Sequence, residues 1–229
     1  IDNKRDSQMT VRDTLVSGNH ATLAGGGLAN QSTEAFAPGV LSLQRVTVSG
    51  NSADEYGGGL FAIKNFTNIV DSLIRENTAH QGGGLANLDD GVMRIGNTVV
   101  SANSAAHEGG GITNEQARLE LNTVTAVGNS SGGDGGGLYN FAGDVLINAG
   151  AFRNNTASSE GGGIENTGRV TARIGKMTIN RLQVSGNSAA IGGGLDNKRD
   201  SQMTVNDSYV YENHASQNGG GIANQSSEA

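Results

Sequence analysis

Three carboxylates recur at one position of a repeated pattern. Glu108, Asp134 and Glu160 lie 26 residues apart, and each immediately precedes a Gly-Gly-Gly triplet. If the residues around each triplet form successive coils of a stack, neighbouring coils lie about 4.8 Å apart and these side chains form a row. Like charges at that spacing repel, and a hard cation such as Ca²⁺ relieves the repulsion. The three residues are therefore candidate Ca²⁺ ligands, with solvated turn carboxylates as the simpler interpretation.

The same spacing admits a second chemistry, because two carboxyl groups about 5 Å apart are typical of retaining glycosidases. A polysaccharide lyase would also need an Arg or Lys base in the same groove. Other catalytic patterns are missing: the chain has no Cys, and no Gly-Lys-Ser/Thr follows a triplet as in a phosphate-binding loop. His80 and His107 lie in consecutive turns and could share a metal. We expect no catalytic residue and no bound cofactor other than Ca²⁺.

Eight glycine triplets set the architecture that must position these side chains. They are separated by steps of 32, 25, 27, 26, 26, 31 and 27 residues, starting at Gly25, Gly57, Gly82, Gly109, Gly135, Gly161, Gly192 and Gly219. A repeat of this length indicates a solenoid, in which each unit buries its apolar side only by stacking on its neighbours.

An asparagine precedes each triplet by five or six residues. We expect it to tolerate the left-handed backbone conformation and to form an amide ladder along the stack. These eight turn asparagines are Asn19, Asn51, Asn77, Asn103, Asn129, Asn155, Asn187 and Asn213.

Apolar residues alternate before each turn asparagine, at ten and eight positions upstream, and recur three positions upstream. In one coil these are Met93, Ile95 and Val100. Alternation at a spacing of two predicts strands with one buried face, and a bend is expected five residues before the asparagine. Each coil then holds three short strands: Gly-Gly-Leu/Ile-x-Asn, the Met/Leu-x-Val/Ile pair, and a strand ending in Val-x-x-Asn. The predicted fold is all-β, a single-stranded parallel β-helix of roughly eight coils with about 26–28 residues per coil.

Composition and charge exclude several classes of protein. Only 4% of the 229 residues are aromatic and 37 are glycine, which suits a narrow core of small aliphatic side chains. The net charge is −7 with no run of Lys and Arg, so we expect no nucleic-acid partner. No apolar stretch approaches the length of a membrane span.

A longer period lies over the short one. Residues 1–35 recur as 195–229 with 24 of 35 positions identical, whereas neighbouring coils differ much more. We interpret residues 1–229 as one continuous β-solenoid, a window of a longer array of 194-residue units. Two coils are longer than the rest, and residues 31–39 and 167–176 are expected to bulge from the same side of the stack.

The motif pair Gly-Gly-Gly-Leu/Ile and Val-x-x-Asn resembles the repeats of polymorphic outer-membrane proteins, in which Gly-Gly-Ala-Ile/Leu/Val alternates with Phe-x-x-Asn. Val48-Ser49-Gly50-Asn51 is a matching segment, and Phe152-Arg153-Asn154-Asn155 fits the family form without change. The resemblance spans all eight turns. It implies a right-handed parallel β-helix at a bacterial surface, often the passenger of an autotransporter that acts in adhesion.

The sequence therefore favours an extracellular or cell-surface structural and adhesive segment of a giant, filament-forming repeat protein. Its expected partners are further copies of itself, end to end or side by side, and a host-surface or polysaccharide ligand. A carbohydrate-active β-helix enzyme and a cation-dependent glycan-binding module are the alternatives.

Overall fold

The computed structural model describes residues 1–4, 6–32, 38–168, 173–199 and 201–225. The described chain is all-β and forms a parallel β-solenoid of about eight turns with three sheets, which confirms the predicted fold. Every strand pair is parallel, for example Leu85 with Ile112 and Met93 with Leu119. Within the described ranges, no helix is long and apolar enough to cross a lipid bilayer.

Sheet A contains the eight strands that follow the glycine triplets, together with the equivalent strand at the start of the chain. Its nine strands are Asp2–Lys4, Leu28–Gln31, Leu60–Ile63, Leu85–Leu88, Ile112–Glu115, Leu138–Phe141, Ile164–Thr167, Leu195–Lys198 and Ile222–Gln225. The Leu or Ile directly after each triplet lies in one column, and its side chain enters the core except in the last coil.

Sheet B contains both of the other predicted strands, on either side of a slight bend. Its thirteen strands are Gln8–Arg12, Leu15–Ser17, Val40–Gln44, Thr47–Ser49, Phe66–Val70, Leu73–Arg75, Val92–Gly96, Val99–Ser101, Arg118–Val127, Asp144–Arg153, Lys176–Ser185, Gln202–Asn206 and Tyr209–Tyr211.

The bend in sheet B is a single residue in the left-handed region. It lies six residues before the turn asparagine, one earlier than the sequence predicts, as at Asp71 (φ 53°) and Asn97 (φ 47°). One such residue changes the strand direction so little that a single strand continues through the bend in three of the coils, as in Arg118–Val127, although the bend residue itself is unpaired in the register. This is why the two predicted strands share one sheet.

Sheet C is formed by the residues that follow each turn asparagine, a strand that the sequence pattern did not indicate. Its eight strands are His20–Ala21, Ser52–Ala53, Thr78–Ala79, Ser104–Ala105, Ser130–Ser131, Thr156–Ala157, Ser188–Ile191 and His214–Asn218. Most contain only two residues, which is too short for any alternation to be recognised.

The core is one continuous aliphatic column between the three sheets. The largest fully buried side chains include Leu60, Ile74, Met93 and Phe152. Because each coil contributes the same few positions, the core is one coil wide and extends along the whole stack. Burial of this apolar surface is the main favourable contribution to folding, at about 25 cal/mol per Å².

The glycine triplets form a corner too tight for side chains. Gly82 has φ 64°, a conformation that glycine adopts without steric cost. A Cβ atom on Gly83 would overlap the carbonyl oxygens of Ser104 and Gly110 in the next coil. Backbone hydrogen bonds such as Gly83 N–H to Gly109 O, at 3.1 Å, run from corner to corner along the stack.

The two longer coils keep the register of their neighbours. Both insertions lie between a sheet A strand and the following sheet B strand, after Leu28–Gln31 and after Ile164–Thr167, so they leave the same corner of the stack. Residues 33–37 and 169–172 of these predicted loops lie outside the described residues.

The turn asparagines form a buried ladder between sheets B and C. The backbone N–H and the Nδ2 amide of Asn77 both donate to Oδ1 of Asn103, each at 3.0 Å, and Nδ2 of Asn103 also donates to the carbonyl of Ile74. The left-handed conformation belongs to the residue before the asparagine, such as Glu76 (φ 56°). The asparagine itself is not among the positive-φ residues.

A second amide ladder runs along sheet A through the asparagine two residues after the Leu or Ile. Asn114 Nδ2 donates to Oδ1 of Asn140 at 2.8 Å, and this contact repeats in the following coils. The ladder is interrupted at Ala62, which has no amide side chain. Nδ2 of the nearby Asn65 donates to Oδ1 of Asn30. As a result, Oδ1 of Asn87 is buried without a hydrogen-bond partner.

Candidate functional site

Two columns of side chains meet on the outer surface of sheet A. The corner column is the residue before each triplet: Ala24, Tyr56, Gln81, Glu108, Asp134, Glu160, Ile191 and Asn218. The outer column is the residue after each triplet's Leu or Ile: Ala29, Phe61, Ala86, Thr113, Tyr139, Glu165, Asp196 and Ala223, with Asp2 preceding them in the first coil.

The glycine corner folds back over the outer column and buries it. A Cβ on Gly161 would touch Cβ of Glu165, and one on Gly192 would lie against Cβ of Asp196. The outer column therefore points away from the aliphatic core and is still shielded from water.

The two columns differ in character along the stack. Near the N-terminal coils they form a small apolar cluster of Phe61, Ala86 and Leu88, with Tyr56 packed against it. Three coils further on, the same two columns carry mainly carboxylates. The register brings Glu165 between Tyr139 and Asp196.

The predicted ligands Glu108, Asp134 and Glu160 lie in successive coils of the corner column. Glu108 accepts a hydrogen bond from Nε2 of Gln81 at 2.7 Å. Asp134 accepts one from the backbone N–H of Glu160 at 3.1 Å. Only Glu160 belongs to a group of three ligand atoms, and its companions in that group come from the outer column.

That group is formed by Glu160, Glu165 and Asp196. One carboxylate oxygen from each lies within 4.8 Å of the other two. It is the only such group of three or more His, Asp or Glu side chains within the described ranges. We refer to Glu160, Glu165 and Asp196 as the acidic cluster.

The oxygens of the acidic cluster have few hydrogen-bond donors. Glu165 and Asp196 have no exposed surface. Both carboxylate oxygens of Glu165 and Oδ1 of Asp196 are buried without a hydrogen-bond partner among the described residues. Oδ2 of Asp196 accepts from Nε2 of Gln225 at 2.7 Å. An unpartnered buried carboxylate oxygen costs more than an unpartnered neutral group, so these atoms need a cation or a proton.

Burial raises the pKa of Glu165 well above its ordinary value, and the nearby Asp196 carboxylate raises it further. Burial also raises the pKa of Asp196, which the hydrogen bond from Gln225 partly offsets. The pKa of Asp134 is raised by burial as well, with Glu160 adding repulsion. The common cause is removal of charged groups from water.

One cation faces the acidic cluster. Nζ of Lys198 donates to Oε2 of Glu160, and both side chains are mostly buried. Burial opposes the charged form of Lys198, but this contact and the surrounding carboxylates raise its pKa overall. Lys198 can neutralise only one of the four carboxyl groups of Asp134 and the acidic cluster.

Tyr139 packs beside these acids. Burial raises the pKa of its phenol, and the charges of Glu108, Asp134 and Glu165 act in the same direction. The phenol therefore stays protonated at neutral pH. Tyr139 is the aromatic side chain nearest in register to Glu165.

The two histidines considered as a metal pair stack against each other. The ring centroids of His80 and His107 are 4.3 Å apart and tilted by 33°. No third ligand residue joins them to form a group of three within the part of the chain that the structure describes. This arrangement is ring stacking between turns of adjacent coils.

The acidic cluster can bind a cation, but its buried carboxylates cannot contact a polysaccharide substrate. Glu165 and Asp196 have no surface exposed to a substrate, and the half-buried Glu108 and Asp134 lie outside the group. General acid or base catalysis requires hydrogen-bond contact between the side chain and the reacting group.

Comparison with known proteins adds no relative. No protein-family model, curated protein or solved structure matches this chain. The resemblance to polymorphic outer-membrane repeats therefore rests on the motifs alone.

Proposed function

We propose that this chain is a non-enzymatic structural segment of an extracellular, rod-like array that serves to extend or to adhere. One observation carries the proposal: the coil at residues 195–225 repeats the coil at residues 1–31 and lies in the same columns of the same three sheets. A further 194-residue unit can therefore continue the stack without a change of register.

The edges of the stack support self-association as the main interaction. Within the described ranges, the strands Gln202–Asn206 and Tyr209–Tyr211 pair on one side only, and Tyr209 in sheet B and Ile222 in sheet A are exposed at the same end of the stack. Unpaired parallel edges accept another strand readily. The next coil is supplied either by the same polypeptide or by a second copy stacked end to end.

The length of the rod is the direct test. Seven coils at about 4.8 Å each advance about 34 Å per 194-residue unit. Chains of one, two and three units, measured by small-angle X-ray scattering and electron microscopy, should lengthen by that increment at constant cross-section. Maximum dimensions that grow much more slowly, as in a globular multidomain protein, would contradict the proposal.

A groove where the chain passes from sheet A to sheet B favours a polysaccharide ligand as a second candidate. Arg118, Arg173 and Lys176 line it together with Asp90 and Asp144. Arg118, Asp144 and Lys176 are stacked in register, so charge alternates along the groove.

Binding or cleavage of uronic-acid polymers tests this second candidate. The variants Arg118→Ala and Lys176→Ala should weaken binding in a salt-dependent manner, with Arg45→Ala on a distant coil as the control. Cleavage products, rather than binding alone, would support the enzyme alternative. Equal retention of all variants on the polymer would remove the groove as a ligand site.

A further inference from the structure

The acidic cluster has the geometry of a site for a hard divalent cation. Its three oxygens lie within 4.8 Å of one another. A Ca²⁺ ion binds oxygen at 2.3–2.6 Å, so oxygens on opposite sides of the ion are separated by about 4.6–5.2 Å. The three oxygens can therefore contact one ion with only small rotations of their side chains.

The unpartnered oxygens provide an independent indication of a ligand. Glu165 has no exposed surface, and neither of its oxygens has a hydrogen-bond donor. Asp196 contributes one carboxylate oxygen to the same group, and its Oδ1 is also buried without a partner within the described ranges. Buried carboxylates of this kind are ordinarily satisfied by a positive charge.

We propose that Glu160, Glu165 and Asp196 bind a divalent cation of the Ca²⁺ class. All three ligands are carboxylates, which selects hard cations over the Zn²⁺ and Cu²⁺ that prefer nitrogen and sulfur. Ca²⁺ fits better than Mg²⁺ because it accepts irregular coordination, whereas Mg²⁺ demands near-ideal octahedral geometry. Lys198 then neutralises the remaining charge through Oε2 of Glu160.

A bound cation would connect two coils of the solenoid. Glu160 and Glu165 flank one glycine triplet, and Asp196 follows the next one. The ion would thus strengthen the contact between Ile164–Thr167 and Leu195–Lys198, which are neighbouring strands of sheet A.

The long period predicts that the site recurs. Asp2 is the counterpart of Asp196, and Gln31 donates to Asp2 at 3.1 Å as Gln225 donates to Asp196 at 2.7 Å. In an array of 194-residue units, each unit would carry one cation. This recurrence alone rests on the proposed function; the site itself does not.

Terbium luminescence tests the site on the present chain. Tb³⁺ replaces Ca²⁺ at oxygen sites and emits when a nearby tyrosine transfers excitation to it, and the chain has no Trp. Because Tyr139 is next to Glu165 in register, we expect sensitised emission that Ca²⁺ displaces. Glu165→Gln and Asp196→Asn should abolish it, whereas Glu108→Gln should leave it unchanged.

A thermal measurement completes the test. At a Ca²⁺ concentration about 100 times the dissociation constant, Tm should rise by about 5–10 °C. Tyr139→Phe should lose the emission and keep this rise, which separates the sensitiser from the ligands. Absence of both emission and a Ca²⁺-dependent rise in folded wild-type protein would overturn the proposal, and a rise retained by Glu165→Gln would place the ion elsewhere.

Discussion

The turn-asparagine ladder and the acidic cluster are both made of buried polar side chains. The asparagines have hydrogen-bond partners, whereas several oxygens of the acidic cluster have none among the described residues. Asn103 is 1% exposed and makes hydrogen bonds to the coils on both sides. Glu165 is equally buried and has no donor for either oxygen. In both cases neighbouring side chains, such as Glu165 and Asp196, stand at equivalent positions of successive coils, so the distance between neighbours is similar.

The difference follows from the chemistry of the two side chains. A carboxamide carries a donor and an acceptor, so identical asparagines stacked in register satisfy one another. A carboxylate carries acceptors only, so stacked carboxylates cannot donate to one another and they repel. A repeated column can therefore be purely structural when it is made of amides, whereas an acidic column requires an external charge.

Replacing one ladder asparagine with the isosteric aspartate should cause the largest loss of stability. In Asn103→Asp, the carboxylate can still accept from Asn77 but can no longer donate to Ile74 O or Asn129 Oδ1. We expect a loss of about 3–5 kcal/mol in the free energy of unfolding at pH 7, measured by denaturant titration. The exposed first member of the ladder provides a matched control, and Asn19→Asp should cost about 1 kcal/mol or less. Equal losses of stability in Asn103→Asp and Asn19→Asp would show that the buried amide hydrogen bonds do not account for the effect.

Moving a carboxylate into a neutral part of the outer column should have the next largest effect. Thr113 is fully buried beside Tyr139 and Ala86 in the register. In Thr113→Glu, the new charge lacks the companions that Glu165 has, and we expect a loss of about 2–4 kcal/mol. Thr113→Gln controls for side-chain size. Calcium should not restore the stability of the Glu variant, and restoration would show that the column binds cations without a specific cluster.

Stability should fall as pH rises when no divalent cation is present. Burial raises the pKa of Glu165 above its ordinary value of 4.5, and the pKa values of Asp134 and Asp196 are raised in the same direction. The folded state therefore binds more protons than the unfolded state, which makes the free energy of unfolding decrease with pH above 4.5. Lys198 contributes no slope between pH 5 and 8, because its raised pKa leaves it charged throughout.

Melting curves in chelator check this sign. Tm should be higher at pH 5 than at pH 8 for the wild type, and the difference should shrink in Glu165→Gln. Excess Ca²⁺ should flatten the dependence, because the cation replaces the proton. A Tm that increases with pH in chelator would show that the acidic cluster is ionised without strain.

The smallest effect is expected at Glu108, which is one of the two predicted ligands outside the acidic cluster. Its carboxylate accepts one hydrogen bond from Gln81, which the amide of Glu108→Gln can also accept. We expect a change within about 0.5 kcal/mol and no change in Ca²⁺ response, measured by the same melting curves. A loss of the Ca²⁺ response would extend the site along the corner column.

The sequence predicts the stack well because its signals repeat. The period of the triplets and the alternation around residues such as Met93 and Ile95 indicate the coils and the core, and the structure confirms both. Sheet C was missed since two-residue strands such as Ser104–Ala105 carry no periodic signal. The bend was placed one residue late because single left-handed residues such as Asp71 and Thr123 have no shared residue type.

The acidic cluster was only partly visible in the sequence for a different reason. Grouping residues by one repeated position identifies Glu160 with Glu108 and Asp134, whereas the fold joins two different columns. The backbone turn at Gly161 brings Glu160 over Glu165, and this fold-back has no counterpart in residue spacing. Aligning the coils on the triplets does give one signal. At the position where other coils have residues such as Phe61 and Ala86, two successive coils have the acids Glu165 and Asp196.

The most direct test of this account is the Tm of Glu165→Gln relative to the wild type in chelator at pH 7.5. The substitution removes a buried carboxyl group that resists ionisation and has no donor, and it keeps the shape of the side chain. The account predicts that the variant melts at least about 3 °C higher than the wild type without cations. A variant that melts lower than the wild type under these conditions would contradict it.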